Sequence, residues 1–312
     1  MAKPTSWQTS LTELLRTHNS VRSNSPKATS HLTQEKRGDI LFAGFRELRA
    51  LGFRLDDVHQ FKGKHMNALA KAWLERDLQP STLQNNFSAF RALSIWIEKK
   101  GMVESTEHYV GKEKSQRTSI NKVDRSWAAK SIDFPKKIEE VRNLDPHVAI
   151  QLEMQSAFGM RPAESMLFRP HLGDRGTHIA INWGCKNGRH RMMDITTPEQ
   201  REVLNRAKAS TTLNGSLCDP QLTYKQAYGK YYRIVAKAGI TKEMLGVTSY
   251  GLRHGKSSDR YREITGVDSP VRGGGPVDPE LDRYARQALA FDLGHSREHI
   301  TTNYIGRFSP KN

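Results

Sequence analysis

Residues 293–304 read LGHSREHITTNY, and this stretch carries the most specific chemical pattern in the sequence. Three earlier segments share its theme: AFGMRPAE at residues 157–164, Lys186 at the tip of a predicted hairpin, and YGLRH at residues 250–254. Each segment alone is weakly specific, because a lone arginine is usually a surface charge and a lone tyrosine is usually a packing residue. Their residue types and their order together indicate a site that acts on phosphate.

The segments supply what is needed to cut a DNA strand without a metal ion. The hydroxyl of Tyr304 can attack phosphorus and form a covalent ester. Arg161 and Arg253 can neutralise the charge that builds on the phosphate oxygens, because each guanidinium is permanently charged and donates paired hydrogen bonds. Lys186 can give a proton to the leaving 5′ oxygen, and the imidazole of His295 can hydrogen-bond the same phosphate.

These segments resemble the motifs of the tyrosine recombinase (phage integrase) family. Residues 159–164 match the family's arginine box, G-[LM]-R-x-x-E, and residues 250–254 match its H-x-L-R-H box. Lys186 and Arg191 match a hairpin lysine followed by arginine, and residues 293–304 match L-G-H-S followed by T-T-x-x-Y. The resemblance extends over residues 136–308 by motif, and over the preceding helical part by architecture.

The resemblance implies a role for each candidate residue. Tyr304 would be the nucleophile, and Arg161 and Arg253 would clamp the scissile phosphate. Lys186 would be the general acid, and His295 would assist. The bond energy would be kept in a 3′-phosphotyrosine, so the reaction is expected to need no cofactor and no metal ion.

The sequence departs from the family's pattern at the third box and after it. Tyr250 stands where the family usually has His or Lys, and a phenol with a pKa of ~10 is a poor base at neutral pH. Tyr250 is therefore a candidate catalytic residue that either acts by itself or shares its catalytic role with His254. The Gly- and Pro-rich loop 267–279 lengthens the stretch before the last box. Glu164 is expected to hold the arginine box.

Basic residues exceed acidic residues in both halves of the chain. The sequence has 49 Lys and Arg against 33 Asp and Glu, a formal net charge of +16. Residues 1–135 hold 22 basic and 14 acidic side chains, and residues 136–312 hold 27 and 19, so each half contributes +8. This distribution predicts that both parts face a polyanion, most commonly nucleic acid. The alternative is a basic but otherwise ordinary protein.

Hydrophobic periodicity divides the chain into four parts. Residues 1–32 form an N-terminal arm with a short amphipathic helix, and residues 33–110 form a compact helical domain. Residues 111–135 form a basic linker that either lies along a phosphate backbone or is a solvated loop. Residues 136–312 form the catalytic domain. Leu41, Phe45 and Leu48 fall on one face of a predicted helix in the first of these domains, and Asp145 before Pro146 predicts the start of a helix in the second.

The expected fold class is mainly α with α+β character. A helical, SAM-like core-binding domain precedes a tyrosine-recombinase catalytic domain, which consists of helices and a small antiparallel sheet. Residues 177–183 and 191–195 alternate like two strands around Asn187-Gly188, a strong hairpin signal. Ser81 and Gln84 form a capping-box pattern at the start of a helix. After Pro198 helices are predicted over residues 198–209, 223–238, 249–264, 279–292 and 297–305.

The composition excludes a membrane protein and gives no sign of secretion. No stretch approaches the ~20 apolar residues of a spanning helix, and MAKPTSWQTS lacks the apolar core of a secretory signal. Cys185 and Cys218 form no CxxC pair, so a reducing cytoplasm is expected, with the protein at the bacterial nucleoid.

The sequence therefore predicts a site-specific recombinase that integrates or excises a mobile genetic element. Two alternatives stay open: a type IB topoisomerase-like DNA relaxase, and a non-catalytic DNA-binding regulator with the same fold. The resemblance implies duplex DNA carrying recombination sites as the partner, a homotetramer on DNA, and accessory directionality or DNA-bending proteins. The target sequence, the preferred direction and the element concerned cannot be read from the chain.

Overall fold

The computed structural model describes residues 6–22 and 25–308, and the chain divides into two units, Met1–Thr118 and Ser119–Asn312. The boundary falls inside the predicted linker 111–135. The later part of that stretch packs with the second unit, because the Trp127 ring is buried among its apolar side chains. One buried aromatic residue produces no periodic hydrophobic pattern, so the sequence did not predict that residues around Trp127 pack with the second unit.

The first unit consists of helices and a short two-stranded ribbon. Strand β1 (Val21–Arg22) pairs antiparallel with β2 (Ser25–Ala28). The helices are α1 (Trp7–His18), α2 (His31–Ala50), α3 (Gly63–Glu75), α4 (Pro80–Trp96) and α5 (Thr106–Ser115), the last interrupted at Gly111.

The core of this unit is rich in aromatic rings. The predicted stripe of α2 is confirmed, since Leu41, Phe45 and Leu48 are each at most 1% exposed. The Trp7 ring stacks on Phe45 at 5.5 Å between ring centroids, so the amphipathic arm helix is packed into this core. Gly44 of α2 allows close packing, because a Cβ there would lie 2.5 Å from the Phe90 ring.

The predicted capping box of α4 is wrong. The helix begins at Pro80, with Gln79 as the residue before it and no side-chain cap. Proline is suited to the first helical position because it lacks the N–H that would be unpaired there. Ser81 therefore lies inside the helix, and the Gln84 amide donates to the Ser115 carbonyl instead, at 2.5 Å.

The second unit packs its helices around α7 and carries one small sheet. The sheet pairs β3 (His178–Ile181) with β4 (Arg191–Asp194). The helices are α6 (Phe134–Leu144), α7 (Pro146–Phe158), α8 (Pro162–Leu167), α9 (Pro170–Gly173), α10 (Pro198–Ala209), α11 (Tyr224–Lys237), α12 (Tyr250–Thr265), α13 (Pro279–Asp292) and α14 (Thr302–Ile305). The mainly helical fold class with a small antiparallel sheet is confirmed.

The predicted hairpin forms, but not with a tight turn. Ile179 pairs with Met193 in an antiparallel register. Asn187 and Gly188 do not connect the strands directly; they belong to the 3₁₀ turn Lys186–Gly188, inside the connection 182–190. Inward-facing residues of the strands fix the register, and the long connection leaves Lys186 exposed.

The predicted Gly- and Pro-rich loop is a loop that packs against its neighbours. The side chain of Ser269 is buried and donates to the Ser258 hydroxyl of α12 at 2.9 Å. Gly274 passes so close to the backbone of Asp268 that a Cβ would overlap the Asp268 carbonyl. Within the described residues, no helix is long and apolar enough to cross a membrane.

Replacing Gly44 with alanine tests the close packing of the first unit. Gly38→Ala is the matched control, because it lies in the same helix and its Cβ would meet only an ordinary contact at 3.7 Å. Both changes gain helix propensity, so we expect Gly44→Ala to be less stable than Gly38→Ala by about 1–3 kcal/mol. The midpoint of urea unfolding measures the difference, and equal midpoints would contradict the packing described here.

Candidate active site

Five of the six candidate residues meet in the second unit, although they come from distant segments. They are Arg161, Tyr250, Arg253, His295 and Tyr304, which hydrogen-bond to one another directly or through one shared carbonyl. The sixth, Lys186, lies on the exposed turn between β3 and β4.

The local sequence places Arg161 between two helices. Helix α7 ends at Phe158 and is followed by Gly159, whose φ of +55° lies in the left-handed region that glycine adopts without strain. Pro162 begins α8, and Arg161 between them is extended. The guanidinium can therefore turn away from both helices toward the segment that follows α13.

The hydroxyl of Tyr304 is surrounded by polar groups. It lies 2.7 Å from the hydroxyl of Tyr250 and 3.2 Å from Nε2 of His295. Arg253 donates to it from Nε at 3.3 Å, and the same guanidinium lies over the Tyr304 ring at 5.4 Å. Because the residue is only 4% exposed, these groups largely replace water around the phenol.

Both guanidinium groups are fixed by the backbone. Arg253 and Arg161 donate to the same carbonyl, that of Leu293, at 2.8 and 3.2 Å. Arg253 also donates to the Gly159 carbonyl. The two positive charges therefore converge on one point next to the phenol before any ligand is present.

A buried carboxylate holds the arginines together. Glu164 has no exposed side-chain surface, and its oxygens lie 2.5 Å from Arg161, 2.8 Å from Arg191 and 3.9 Å from Arg253. Burial raises the pKa of Glu164, but Arg191, Arg253 and Arg161 outweigh it and lower the pKa to about 2. Three positive charges thus face one negative charge, which leaves the site positive.

The two phenols differ in acidity. Burial raises the pKa of Tyr304, but Arg253, the Tyr250 hydrogen bond and Arg161 together hold that pKa below its ordinary value. Burial and the neighbouring Tyr304 raise the pKa of Tyr250 instead. Tyr304 is therefore the more acidic phenol, and Tyr250 keeps its proton and can donate it in a hydrogen bond to the ionised Tyr304 oxygen.

Both histidines beside Tyr304 are neutral at neutral pH. Burial, followed by the charges of Arg161, Arg253 and Lys186, lowers the pKa of His295 to about 4. Burial likewise lowers the pKa of His254 to about 4, although the Tyr304 backbone opposes this shift. His295 can accept or donate a single hydrogen bond at Nε2 according to its tautomer.

Arg191 is a site residue for which the sequence predicted no contact. It lies at an inward position of β4, is 5% exposed, and joins Glu164 to the Asp292 carbonyl. The alternation of β4 was a usable signal, because an arginine in register with the buried Met193 must find a buried acceptor. No group of three or more His, Cys, Asp or Glu in the described ranges is arranged to hold a metal ion.

Two family models match the sequence. The model described as phage integrase, N-terminal, matches residues 19–103, and the model described as integrase matches residues 118–258. The second match contains four of the six candidate residues and ends before the other two, His295 and Tyr304. A search of curated protein sequences finds no match.

Solved structures share the fold at low sequence identity. A lambda integrase tetramer bound to a Holliday junction has a TM-score of 0.59 at 12% identity, over 97% of this chain and 80% of that chain. XerH site-specific recombinase, bound to palindromic difH substrate in a post-cleavage complex, has a TM-score of 0.57 at 14% identity, over 97% and 93%. The Tn1549 transposon integrase in complex with circular intermediate DNA has a TM-score of 0.53 at 14% identity, over 96% of each chain.

These likenesses show the fold, and the two integrase models match residues in both units. Together the matched ranges 19–103 and 118–258 cover well over half of the chain. The chain therefore belongs to the tyrosine recombinase (phage integrase) family, and it is a tyrosine-type site-specific DNA recombinase.

Proposed function

We propose that Tyr304 attacks a DNA phosphodiester and forms a 3′-phosphotyrosine during site-specific strand exchange. The bond between Tyr304 Oη and phosphorus forms while the bond from phosphorus to the 5′ oxygen breaks. The observation that carries this proposal is the acidified phenol, which lies 3.3 Å from Nε of Arg253 and 3.2 Å from Nε2 of His295. The neutral imidazole can accept a hydrogen bond from the phenol at Nε2, and the phenolic proton passes to solvent as the bond to phosphorus forms.

Arg161 and Arg253 would stabilise the charge that develops on the phosphate oxygens. Their guanidinium groups already converge on the Leu293 carbonyl, so little reorganisation is needed when the charge develops. Lys186 would supply the proton to the departing 5′ oxygen, because its exposed turn can reach toward bound DNA. Attack by a 5′ hydroxyl on the phosphotyrosine then reverses the step and rejoins the strand.

Tyr250 would do by hydrogen bonding what a histidine or lysine usually does at its position. Its raised pKa keeps it protonated, and its hydroxyl lies 2.7 Å from the oxygen that becomes the nucleophile, so it can donate to that oxygen. Glu164 would act only on the arginines, because it touches their guanidinium groups and not the phenol.

The DNA partner and the assembly are proposed from charge and from relatives. The net charge is +16, and the lambda, XerH and Tn1549 relatives are each described as bound to DNA, the first as a tetramer. We infer that this chain acts as a homotetramer on duplex recombination sites, with residues 33–110 binding core DNA and residues 111–135 along the phosphate backbone. The reaction would integrate or excise a mobile element, with accessory proteins setting its direction.

Tyr304→Phe tests the nucleophile. A nicked duplex carrying the recombination site, mapped from junctions in cells that contain the gene, should trap a covalent adduct with the wild type and none with Tyr304→Phe. The exposed Tyr284→Phe of α13 is the control and should keep the adduct. Absence of an adduct with the wild type would contradict the proposal, and adduct without any recombinant product from two sites would indicate a relaxase.

Tyr250→Phe tests the phenol pair through the pH dependence of cleavage. Because the hydrogen bond from Tyr250 lowers the pKa of Tyr304, removing it should raise that pKa. The rate of adduct formation, measured in single turnover from neutral to alkaline pH, should then rise at higher pH than in the wild type. An unchanged pH profile would show that Tyr250 does not tune the nucleophile.

Glu164→Gln tests the buried charge. We expect a loss of about 3 kcal/mol in the free energy of unfolding at neutral pH, because the buried Arg191 and Arg253 and the partly buried Arg161 lose their counter-charge. The folded pKa of Glu164 is lowered from 4.5 to about 2, so its contribution is present above pH 4.5 and is lost as the pH falls toward 2. Urea unfolding of both proteins across this range should show the difference shrinking; a constant difference would contradict the charge argument.

A further inference from the structure

The candidate nucleophile stands on a helix that is too short to be stable alone. Helix α14, Thr302–Ile305, is a single turn, and the backbone bond that closes it runs from the Gly306 N–H to the Thr302 carbonyl at 3.1 Å. Two carbonyls of this turn accept hydrogen bonds from one distant residue. The backbone N–H of Asn121 donates to the Thr302 carbonyl at 2.9 Å, and its side-chain Nδ2 donates to the Tyr304 carbonyl at 3.0 Å.

Asn121 is itself held in place. It is 5% exposed, and its Oδ1 accepts from the backbone of Val123 at 3.4 Å, which orients the amide toward α14. Asp124, slightly further on, accepts from Nε of Arg272 at 3.1 Å and from the Ser126 N–H at 2.8 Å. The segment that carries Asn121 is therefore tied to the Gly- and Pro-rich loop.

The same loop also packs against the residue that follows α14. Gly306 follows α14 with a φ of +75°, and a Cβ there would lie 2.8 Å from both the Asn121 carbonyl and Cγ1 of Val271. Arg286 of α13 donates to the Gly306 carbonyl at 3.1 Å. The backbone at Gly306 thus passes between the two segments, without room for a side chain.

We propose that Asn121 is a positioning residue for DNA cleavage, which holds the Tyr304 hydroxyl beside Arg253 by binding two carbonyls of α14. The proposal rests on the proposed role of Tyr304 as nucleophile. Arg253 is already fixed by the carbonyls of Gly159 and Leu293, so the freedom that remains to be removed is that of the phenol. Asn121 lies just beyond the boundary at Thr118–Ser119, so the chain that joins the two units also carries the residue that places the nucleophile.

Two substitutions at this position separate positioning from folding. Asn121→Asp keeps the shape but replaces the donating amide with an oxygen that repels the Tyr304 carbonyl. Asn121→Ser adds no charge and is too short to reach that carbonyl, while the backbone bond to Thr302 remains. Asn205→Asp, on the exposed face of α10, is the control for the change of charge.

The probe is the nicked duplex on which the wild type forms its adduct. We expect the single-turnover rate of adduct formation at saturating DNA to fall about 10- to 100-fold in both Asn121 variants, because a misplaced reacting atom costs rates of this order. The Kd for the same duplex should stay near the wild-type value in both variants, as it should in Asn205→Asp. The urea midpoint should stay near the wild-type value in Asn121→Ser and Asn205→Asp and fall in Asn121→Asp, whose carboxylate is buried, with all three proteins folded in the assay. A split between rate and Kd of this kind is what a positioning role requires.

Four outcomes would overturn the proposal or its basis. If the wild type forms the adduct, Tyr304→Phe does not, and both Asn121 variants react at the wild-type rate, then Asn121 does not position the nucleophile. If the rate falls only in step with lost DNA affinity, or if both variants are unfolded in the assay, Asn121 serves general stability and the proposal is wrong. If the wild type forms no adduct, the role of Tyr304 itself fails.

Discussion

Glu164 lies without exposed surface among three guanidinium groups, and its negative charge makes their close approach possible. Arg161 and Arg191 bind its two oxygens, and Arg253 lies 3.9 Å away. Without a counter-charge, the buried Arg191 and Arg253 and the partly buried Arg161 would repel one another, and their desolvation would not be offset. With one carboxylate present, the arginines stay buried and ordered while the site keeps a positive excess.

The positive charge lies beside the phenol because backbone carbonyls fix the positions of the arginines. Both catalytic-candidate arginines donate to the Leu293 carbonyl, and Leu293 itself is buried with Tyr304 in one apolar cluster. The helices α12 and α13 and the turn α14 pack around this cluster, so apolar burial brings together groups that charge alone would keep apart. Tyr250 then completes the surroundings of the hydroxyl as a donor that keeps its own proton.

The sequence predicted those features that depend on interactions between residues close together in the chain. The buried stripe of Leu41, Phe45 and Leu48 follows from helical periodicity. The start of α7 follows from the pair Asp145-Pro146, because the Asp145 carboxylate accepts from the Val148 N–H and so caps the helix. The predictions failed where a local signal competed with another constraint. Asn187-Gly188 signals a two-residue turn, but strand register set by inward-facing side chains leaves a longer connection.

The motifs themselves identified the candidate site residues because the chemistry of phosphate needs particular residue types, and residue types are visible in a sequence. The sequence also determined that Glu164 stands three residues after Arg161, a spacing that makes their contact local.

Only the tertiary structure decided which phenol is the more acidic, since it buries both phenols, places Arg253 Nε against the Tyr304 hydroxyl and sets the two hydroxyls side by side. It likewise decided that Asn121 holds α14 across 183 residues of chain and that Arg191 shares Glu164. The Asn121 contact leaves no periodic or spacing signal, because it arises from the packing of whole elements and not from the dihedral preferences of neighbouring residues. For Arg191 the alternation of β4 indicates burial, but only the packing of β4 against the arginine box makes Glu164 its acceptor.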